Sequence, residues 1–473
     1  MSTTGGTPGL GRTYLFDERP VTSIDEYLAT DTGGLALARA QELGPDATIA
    51  EVTRAGVRGR GGGGFPTGRK WAGVVGQGGT HRYVVANGAE GEPGTFKDRA
   101  LLRDNPYQVV EGLLVAAFAM GAESAFIACK ASFARELEAV TRAVQEMQQA
   151  GICEDCTVTI VGGPEEYLFG EEKALLEVIE GNPPLPRLLP PYQHGLFATA
   201  PQTGWQATDA QPGHRGQHLS NPTLVNNVET LAHVTHVLAR GADWFRTVGT
   251  EQSPGTQVCT VVGDVARPLV VEAEMGTPLS AVLGAAGGVP EPRGAVKAVL
   301  SGVANPVLTA AHLDAPVSYE GFEEHGSGLG AGGFVAYADD ACMVRVARDL
   351  SRFLYVESCG QCPPCKLGSG AITEHLEAIE GTRGDDDDVV QMVGWLAKVT
   401  DGARCYLAVQ ERVVIDSILR AFPEEFDEHL DGDACPRPRS LPFPKIVDLD
   451  DGVVIYDEHQ MQKQPDWTYA AAR

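Results

Sequence analysis

Positive charge is scarce in this chain. Against 63 Asp and Glu there are 37 Lys and Arg, which leaves a net charge of −26 over 473 residues. Nucleic acid and anionic membrane surfaces both require basic patches, so neither is expected as a partner. Long apolar runs are missing too. The most apolar stretch, Val109 to Ala128, is interrupted by Glu111 and Glu123 and falls short of a bilayer span, so no direct membrane insertion is expected. No charged n-region followed by an apolar h-region opens the chain, so no secretory signal is expected. The 10 cysteines then read as metal or redox chemistry in a reducing compartment, not as a disulfide framework. A cytoplasmic location follows, peripheral to a membrane only through partner subunits. The length predicts about three domains, each large enough for its own core.

What is present is concentrated in a few motifs. In ESCGQCPPCK, Cys359, Cys362 and Cys365 stand three residues apart at the end of an apolar helical stretch. Thiolates at this spacing cannot pair as disulfides without strain but can converge on one metal centre. Iron–sulfur clusters are held this way, with a fourth cysteine from elsewhere, and Cys405 in GARCYLA is the candidate. Zinc also takes four thiolates, but usually through two separated C-x2-C pairs. Cys153 and Cys156 form a lone C-x2-C, read as a surface pair of inert thiols. Cys129, Cys259 and Cys342 sit in apolar segments and read as core filler. Cys435, on the C-terminal side of the bundle, has no assigned role.

A βαβαβ rhythm begins at Arg82: strand RYVVAN, helix Tyr107 to Met120, strand SAFIACK, helix Phe133 to Met147 and strand TVTIVGG. The alternation predicts a parallel sheet with helices on its faces and a site beyond the strand ends, near Asn87 and the Gly162-Gly163 turn. Residues Met1 to Gly11 are expected to be disordered, and Thr199 to Ser220 to form an exposed insertion. Short strands between Gly255 and Gly333 predict a compact β-rich unit, and amphipathic helices from Ala341 to Leu430 a bundle around the cysteines. Asp385 to Asp388 reads as a solvated acidic loop, and the tail from Pro442 as a surface wrap.

VRGRGGGGFPTGRKW is the second strong signal. Gly59, Gly61 and Gly64 formally satisfy G-x-G-x-x-G, but a helix over Ala47 to Ala55 precedes them where the dinucleotide fingerprint needs a strand. Consecutive glycines still let backbone N–H groups approach an anion, and Arg58, Arg60, Arg69 and Lys70 add positive charge. Phe65 offers a face for a planar ring. A planar cofactor bearing a phosphate, seated near Gly61 to Gly64, is expected. NGAEGEPGTFKDR and EEYLFGEEKALLEVIEG supply acidic groups after the first and third strands, and NPTLVNNVET adds neutral donors.

With these motifs in this order, the chain closely resembles the flavin-bearing, NADH-oxidising subunit of respiratory complex I and the homologous subunits of NAD-linked hydrogenases and formate dehydrogenases. The resemblance runs from about residue 45 to 430. It implies an α/β fold: a Rossmann-like FMN domain, a ubiquitin-like β-grasp (SLBB) domain and a C-terminal helical bundle binding one [4Fe–4S] cluster. The corresponding division is 1–45 for an N-terminal segment, 46–250 for the FMN/NADH domain, 255–335 for the SLBB domain, 341–432 for the cluster domain and 433–473 for the tail. By resemblance the flavin is held by Gly59, Arg60, Gly61, Gly62, Gly63, Gly64 and Lys70 on one side. Asn87, Glu90, Tyr167, Gly170, Glu171, Asn226, Asn227 and Thr230 complete its site. Phe65 and Tyr192 stack on the nucleotide, and Glu92 and Glu172 are the catalytic residues, close to the nicotinamide or its ribose.

Several positions depart from the family pattern. Ala89 replaces an Asp, Phe169 a Cys, Gly73 an aromatic and Leu189 a basic residue. The last two weaken the adenine and phosphate side of the NADH site in particular. No cysteine precedes Cys129, so the N-terminal [2Fe–2S] extension of some relatives is not expected. A thioredoxin-like or ferredoxin-like 2Fe–2S subunit, with further electron-transfer subunits of a larger complex, is the implied partner. Two competing readings are a subunit of the same architecture serving another carrier and a redox-silent scaffold. The intact cysteine quartet argues against the second.

Overall fold

Val84, Val85 and Ala86 follow one another along β1 (Tyr83–Asn87) and are all inaccessible to solvent, as in a strand covered on both faces. The computed structural model describes residues 9–78, 81–200, 219–432 and 435–469. β1 lies in a four-stranded parallel sheet with β2 (Ser124–Lys130), β3 (Thr157–Gly163) and β4 (Thr223–Asn227), in the order β3-β2-β1-β4. Val84 and Ala86 join one core beneath the helices Pro106–Met120 and Val228–Arg240. Val85 faces another beneath the helix Glu172–Ile179. The helix Pro106–Met120 is delimited by local chemistry. Asn105 caps its first turn by accepting from Gln108 N at 3.3 Å, Pro106 takes N1, and Gly121 closes it at φ 63°.

The second sheet has five strands in the order β6-β5-β9-β7-β8. These are β5 (Thr256–Gly263), β6 (Leu269–Glu274), β7 (Val296–Ser301), β8 (Leu308–Thr309) and β9 (Gly333–Ala338), with β5 and β9 parallel and the other pairs antiparallel. The helix Leu279–Ala285 packs against it, giving a grasp-like unit whose last strand runs past residue 335. Helices Met343–Glu357, Pro363–Glu380, Asp386–Leu396, Leu407–Ala421 and Pro423–Leu430 form the bundle. Among the described residues no helix is long and apolar enough to cross a membrane.

Several expectations change. Asp385 to Asp388 are the start of a helix, not a loop: Asp385 accepts from Asp387 N at 2.9 Å while Asp388 accepts from Asp385 N at 3.0 Å. Carboxylates stabilise the positive end of the helix dipole, so an acidic run is a start signal as much as a solvation signal. Cys153 and Cys156 are buried in the core, where burial raises their thiols to about 11 and about 12, so they are inert but not on the surface. Residues 1–8 lie outside the described residues, but Leu10 is buried and its carbonyl accepts from Glu274 N at 2.8 Å. The expected insertion falls mostly on 201–218, outside the described residues. The tail does more than wrap. Phe443, Ile446 and Leu449 enter the bundle core around the hairpin β10 (Ile446–Asp450) and β11 (Val453–Tyr456), and Lys463 pairs with the inaccessible Glu357 at 2.9 Å.

Candidate functional site

The chain runs from β1 outward to β3 and then returns to place β4 on the other side of β1, so the order reverses between β1 and β4. A crevice opens where the strand order reverses, beyond the carboxyl ends of the strands. The register pairs Ala86 with Asn226 and Asn87 with Asn227, which sets two asparagines side by side at its mouth. Asn87 Nδ2 donates to Gly170 O at 2.8 Å. Asn227 Nδ2 donates to Asp98 at 2.8 Å, and its Oδ1 caps the helix Val228–Arg240 through Glu229 N at 3.1 Å. Asn226 is fixed by Trp71, whose indole N–H donates to it at 2.8 Å. The Gly162-Gly163 turn lies at the end of the edge strand and lines neither cavity here.

Two adjoining cavities, of about 730 and about 880 Å³, share the walls Gly61, Gly63, Asn87, Gly170 and Asn227. The glycine loop between the helices Pro45–Ala55 and Thr67–Val75 forms their common edge. It folds back on itself through Gly59 N to Phe65 O at 2.9 Å and Thr67 N to Val57 O at 2.8 Å. Gly62 at φ 117° takes a backbone form that side chains rarely adopt, and the space over Gly63 is open, so a flat ring can approach the main chain.

The four cations of this loop have separate tasks. Arg60 is wholly buried and turned away from the cavities, donating to Thr256 O, Arg58 O and Pro254 O at 3.0–3.1 Å. Its backbone N–H reaches Thr230 Oγ1 at 2.9 Å, so only the main chain of this residue adjoins the site. Arg58 lines the smaller cavity and lies 4.1 Å from the Tyr319 ring centre, and the Tyr319 hydroxyl donates to Gly59 O at 2.6 Å. Arg69 and Lys70 line the larger cavity beside the exposed rings of Phe65 and Tyr192, and Lys70 pairs with Glu172 at 2.8 Å. Gly73 leaves an open wall there. Leu189 lines neither cavity.

Beneath the smaller cavity lies a buried ionic network. Lys97 Nζ donates to Asp98 and Glu229 at 2.7 Å each and to Asn227 at 3.2 Å, while Arg99 meets Glu90 at 3.2 Å. Burial raises Glu229, but Lys97, then His233, outweigh it and hold this carboxylate at about 2. Asp98 is pushed the other way by burial, to about 6, despite Lys97. Glu171 caps the helix Glu172–Ile179 by accepting from Lys173 N and Ala174 N at 3.0 Å, and burial lifts it to about 7.

Glu92 lines the smaller cavity and Glu172 the larger, so the two expected catalytic carboxylates stand in different chambers. Glu92 accepts from the Tyr167 hydroxyl and, at 2.7 Å, from Val303 N, and burial raises its carboxyl. Tyr167 in turn accepts from Gln410 Nε2 at 2.7 Å. Gln410 and Tyr319 are not among the residues expected at the site. Of the two, Gln410 carries a signal in sequence, as a polar group on the buried face of the apolar helix Leu407–Ala421.

Gln410 leads to the cysteines. Cys359 and Cys362 follow the helix Met343–Glu357, Cys365 lies in the first turn of Pro363–Glu380, and Cys405 precedes Leu407–Ala421. All four face one small pocket with Leu168, Pro186 and Ala408. The fold thus supplies four convergent thiols, the donor set of an iron–sulfur cluster. Lys366 Nζ, donating to Ser358 O at 2.8 Å, sets a cation beside them. Cys405 and Leu407 also line the smaller cavity, so one wall separates the two sites.

A glycine-edged cavity at a parallel-sheet switch point, sharing a wall with a four-cysteine pocket, defines a flavin- and iron–sulfur-bearing electron-transfer protein. Residues 52–236 match the Nuo51 FMN-binding domain, 258–301 the SLBB domain and 345–429 the NADH-ubiquinone oxidoreductase-F iron–sulfur binding region. The chain is 35% identical to the F subunit of NADH-quinone oxidoreductase of Streptomyces coelicolor over 89% of its own length and 91% of the relative. It is 34% identical to the F 2 subunit of NADH-quinone oxidoreductase of Rhizobium meliloti, covering 84% and 91%, and 32% identical to the HndC subunit of the NADP-reducing hydrogenase of Solidesulfovibrio fructosivorans, covering 88% and 82%. A chain of an NAD+-reducing [NiFe]-hydrogenase superposes with TM-score 0.74 at 30% identity, covering 88% of this chain and 66%, just under two thirds, of that one. The chain belongs to the family of NADH-quinone oxidoreductase F subunits, and its cofactors are FMN and a [4Fe–4S] cluster.

Proposed function

We propose that this chain oxidises NADH and passes the electrons singly through its cluster to further electron-transfer subunits of a larger complex. The observation behind this reading is that Cys405 belongs to the walls of both the flavin cavity and the cluster pocket. Bound FMN supplies the conversion of a two-electron donor into one-electron transfers. The chain's own residues do the rest. Gly61 to Gly64 offer main-chain N–H groups to the phosphate, and Lys70 offsets charge that a −26 protein otherwise repels. Asn87, Asn226 and Asn227, each held by a partner, keep donors and acceptors fixed at the strand ends. Phe65 and Tyr192 form the rim on which a nucleotide stacks, and Glu172 accepts from its ribose beside Lys70. Glu92, held through Tyr167, is the carboxyl facing the flavin from the cluster side.

We assign 46–250 to flavin and nucleotide, 255–338 to a bracing β-grasp that includes all of β9, and 341–432 to the cluster. A thioredoxin-like or ferredoxin-like 2Fe–2S subunit suits the next step, at a cytoplasmic site held to a membrane, if at all, through partners.

Stopped-flow mixing of the anaerobic, flavin-loaded protein with NADH tests this reading. The flavin band should bleach and a reduced-cluster EPR signal should follow. Oxidised flavin under millimolar NADH, with full bleaching by dithionite, would assign the chain to another carrier.

A further inference from the structure

Neither Cys342 nor Cys435 adjoins the flavin cavities or the cluster pocket, yet the fold brings them together. Cys342 precedes the helix Met343–Glu357 as its N-cap residue, His429 lies in the last turn of the helix Pro423–Leu430, and Cys435 lies in the tail. Their ligand atoms all lie within 4.8 Å of one another, and among the described residues no other group of three such side chains is this close. Cys342 Sγ is 3.3 Å from His429 Nε2. Cys342 and His429 are buried and Cys435 is half-buried.

As an apo cluster these groups are poorly matched. Sulfur is a weak hydrogen-bond partner, so the contact with Cys342 returns little of the hydration that His429 lost. The other ring nitrogen, His429 Nδ1, is buried without a partner and keeps that state whether or not Nε2 holds a metal, so the three converging donors alone point to an ion. Nearby Glu425 does not relieve them, because it accepts from Met343 N at 2.8 Å and pairs with Lys297 and Arg437.

We infer that Cys342, His429 and Cys435 form a second metal site, distinct from the iron–sulfur cluster, that takes zinc through two thiolates and one imidazole. Two sulfurs and a ring nitrogen are a donor set suited to this borderline-soft ion. Zinc bonds of about 2.3 Å to sulfur and about 2.0 Å to nitrogen put the two atoms about 3.5 Å apart at a tetrahedral angle, near the contact seen here. Binding releases two thiol protons and leaves the ion's charge balanced by two thiolates. Water fills the fourth position. Zinc has no redox chemistry in this setting, so the ion carries no electrons. It staples three segments: the helix that leads into the Cys359 loop, the last bundle helix, and the tail whose hairpin accepts from Arg99 at Ile446 O and Val447 O.

Metal analysis of full-length protein, produced with both metals supplied and purified without chelator, tests the site. The protein should carry about one zinc beside about four irons. Cys435→Ser should lower zinc about tenfold with iron and flavin retained, and Cys405→Ser should lower iron with zinc retained. Cobalt added to zinc-free wild-type protein should give a sulfur-to-metal charge-transfer band, which decides the matter even if Cys435→Ser fails to fold. The inference is overturned by wild-type protein with neither zinc nor a cobalt band, by zinc that persists in Cys435→Ser, or by a Cys342–Cys435 disulfide in anaerobically alkylated protein.

Discussion

Gln410 donates to the Tyr167 hydroxyl at 2.7 Å, joining the helix that follows Cys405 to the cavity at the strand ends. The Tyr167 hydroxyl passes the connection on to Glu92, which is otherwise held by Val303 N at 2.7 Å. Burial raises the Glu92 carboxyl, and the Tyr167 bond lowers it. Tyr167→Phe removes only the lowering influence. The acid limb of the pH profile for NADH-driven flavin reduction should therefore move to higher pH. A loss of about 1–3 kcal/mol in stability should accompany it, because a buried acceptor loses its donor. An unmoved pH profile would confine Tyr167 to packing.

Cys405 stands apart in sequence from the other three cysteines but faces the same pocket. In Cys405→Ser the iron content of anaerobically purified protein should fall well below about four per chain, and the reduced-cluster EPR signal should vanish. Cys153→Ser, in the core beside the flavin sheet, should leave both unchanged.

Gly73 sits in the helix Thr67–Val75 with open space where a side chain would project, and so adds no ring to its wall of the larger cavity. Phe65 and Tyr192 already line that cavity. Gly73→Phe should add a stacking surface worth about 1 kcal/mol and lower the apparent dissociation constant for NADH about fivefold. The concentration dependence of flavin bleaching measures it. An unchanged constant would place the dinucleotide away from this wall.

Glu272 anchors the N-terminal segment to β6, accepting from Tyr14 N at 2.9 Å and Leu15 N at 2.8 Å, and burial raises it from 4.5 to about 7. Glu171 is raised to about 7 by the same cause. A carboxyl whose folded value is raised contributes stability that is fully present below the unfolded value and lost as pH climbs through the folded one. The melting temperature should therefore fall from about pH 4.5, the unfolded value, and level off above about pH 7. Glu272→Gln should melt lower at pH 6, having lost acceptors, but show a smaller fall across that window. An equal fall in both proteins would remove Glu272 from the cause.

The cysteine triplet, the glycine loop and the βαβαβ rhythm are all legible in sequence, because the first two are short arrangements of neighbouring residues and the third is a succession of elements each read from its own local period. Spacing of three residues is itself the geometry that lets Cys359, Cys362 and Cys365 converge, and the period of apolar residues is itself the buried face of a strand or helix. Asp385 to Asp388 show the limit of even local reading, since the same carboxylates suit a solvated loop and a capped helix. Arg60 shows another limit: its charge is plain in sequence, but its direction is set by the carbonyls of Pro254 and Thr256.

Adjacency comes from the tertiary fold. Asn87 meets Asn227 because β1 and β4 pair in parallel. Glu92, Tyr167 and Gln410 come from separate segments of the chain, and Cys342, His429 and Cys435 from three segments of the bundle and tail. No spacing encodes such meetings. They follow from burial and strand pairing summed over the whole chain, in which no single residue carries enough of the energy to mark its partner. Local order along the chain thus specifies which chemistry this protein holds, and packing specifies which groups stand between its cofactors.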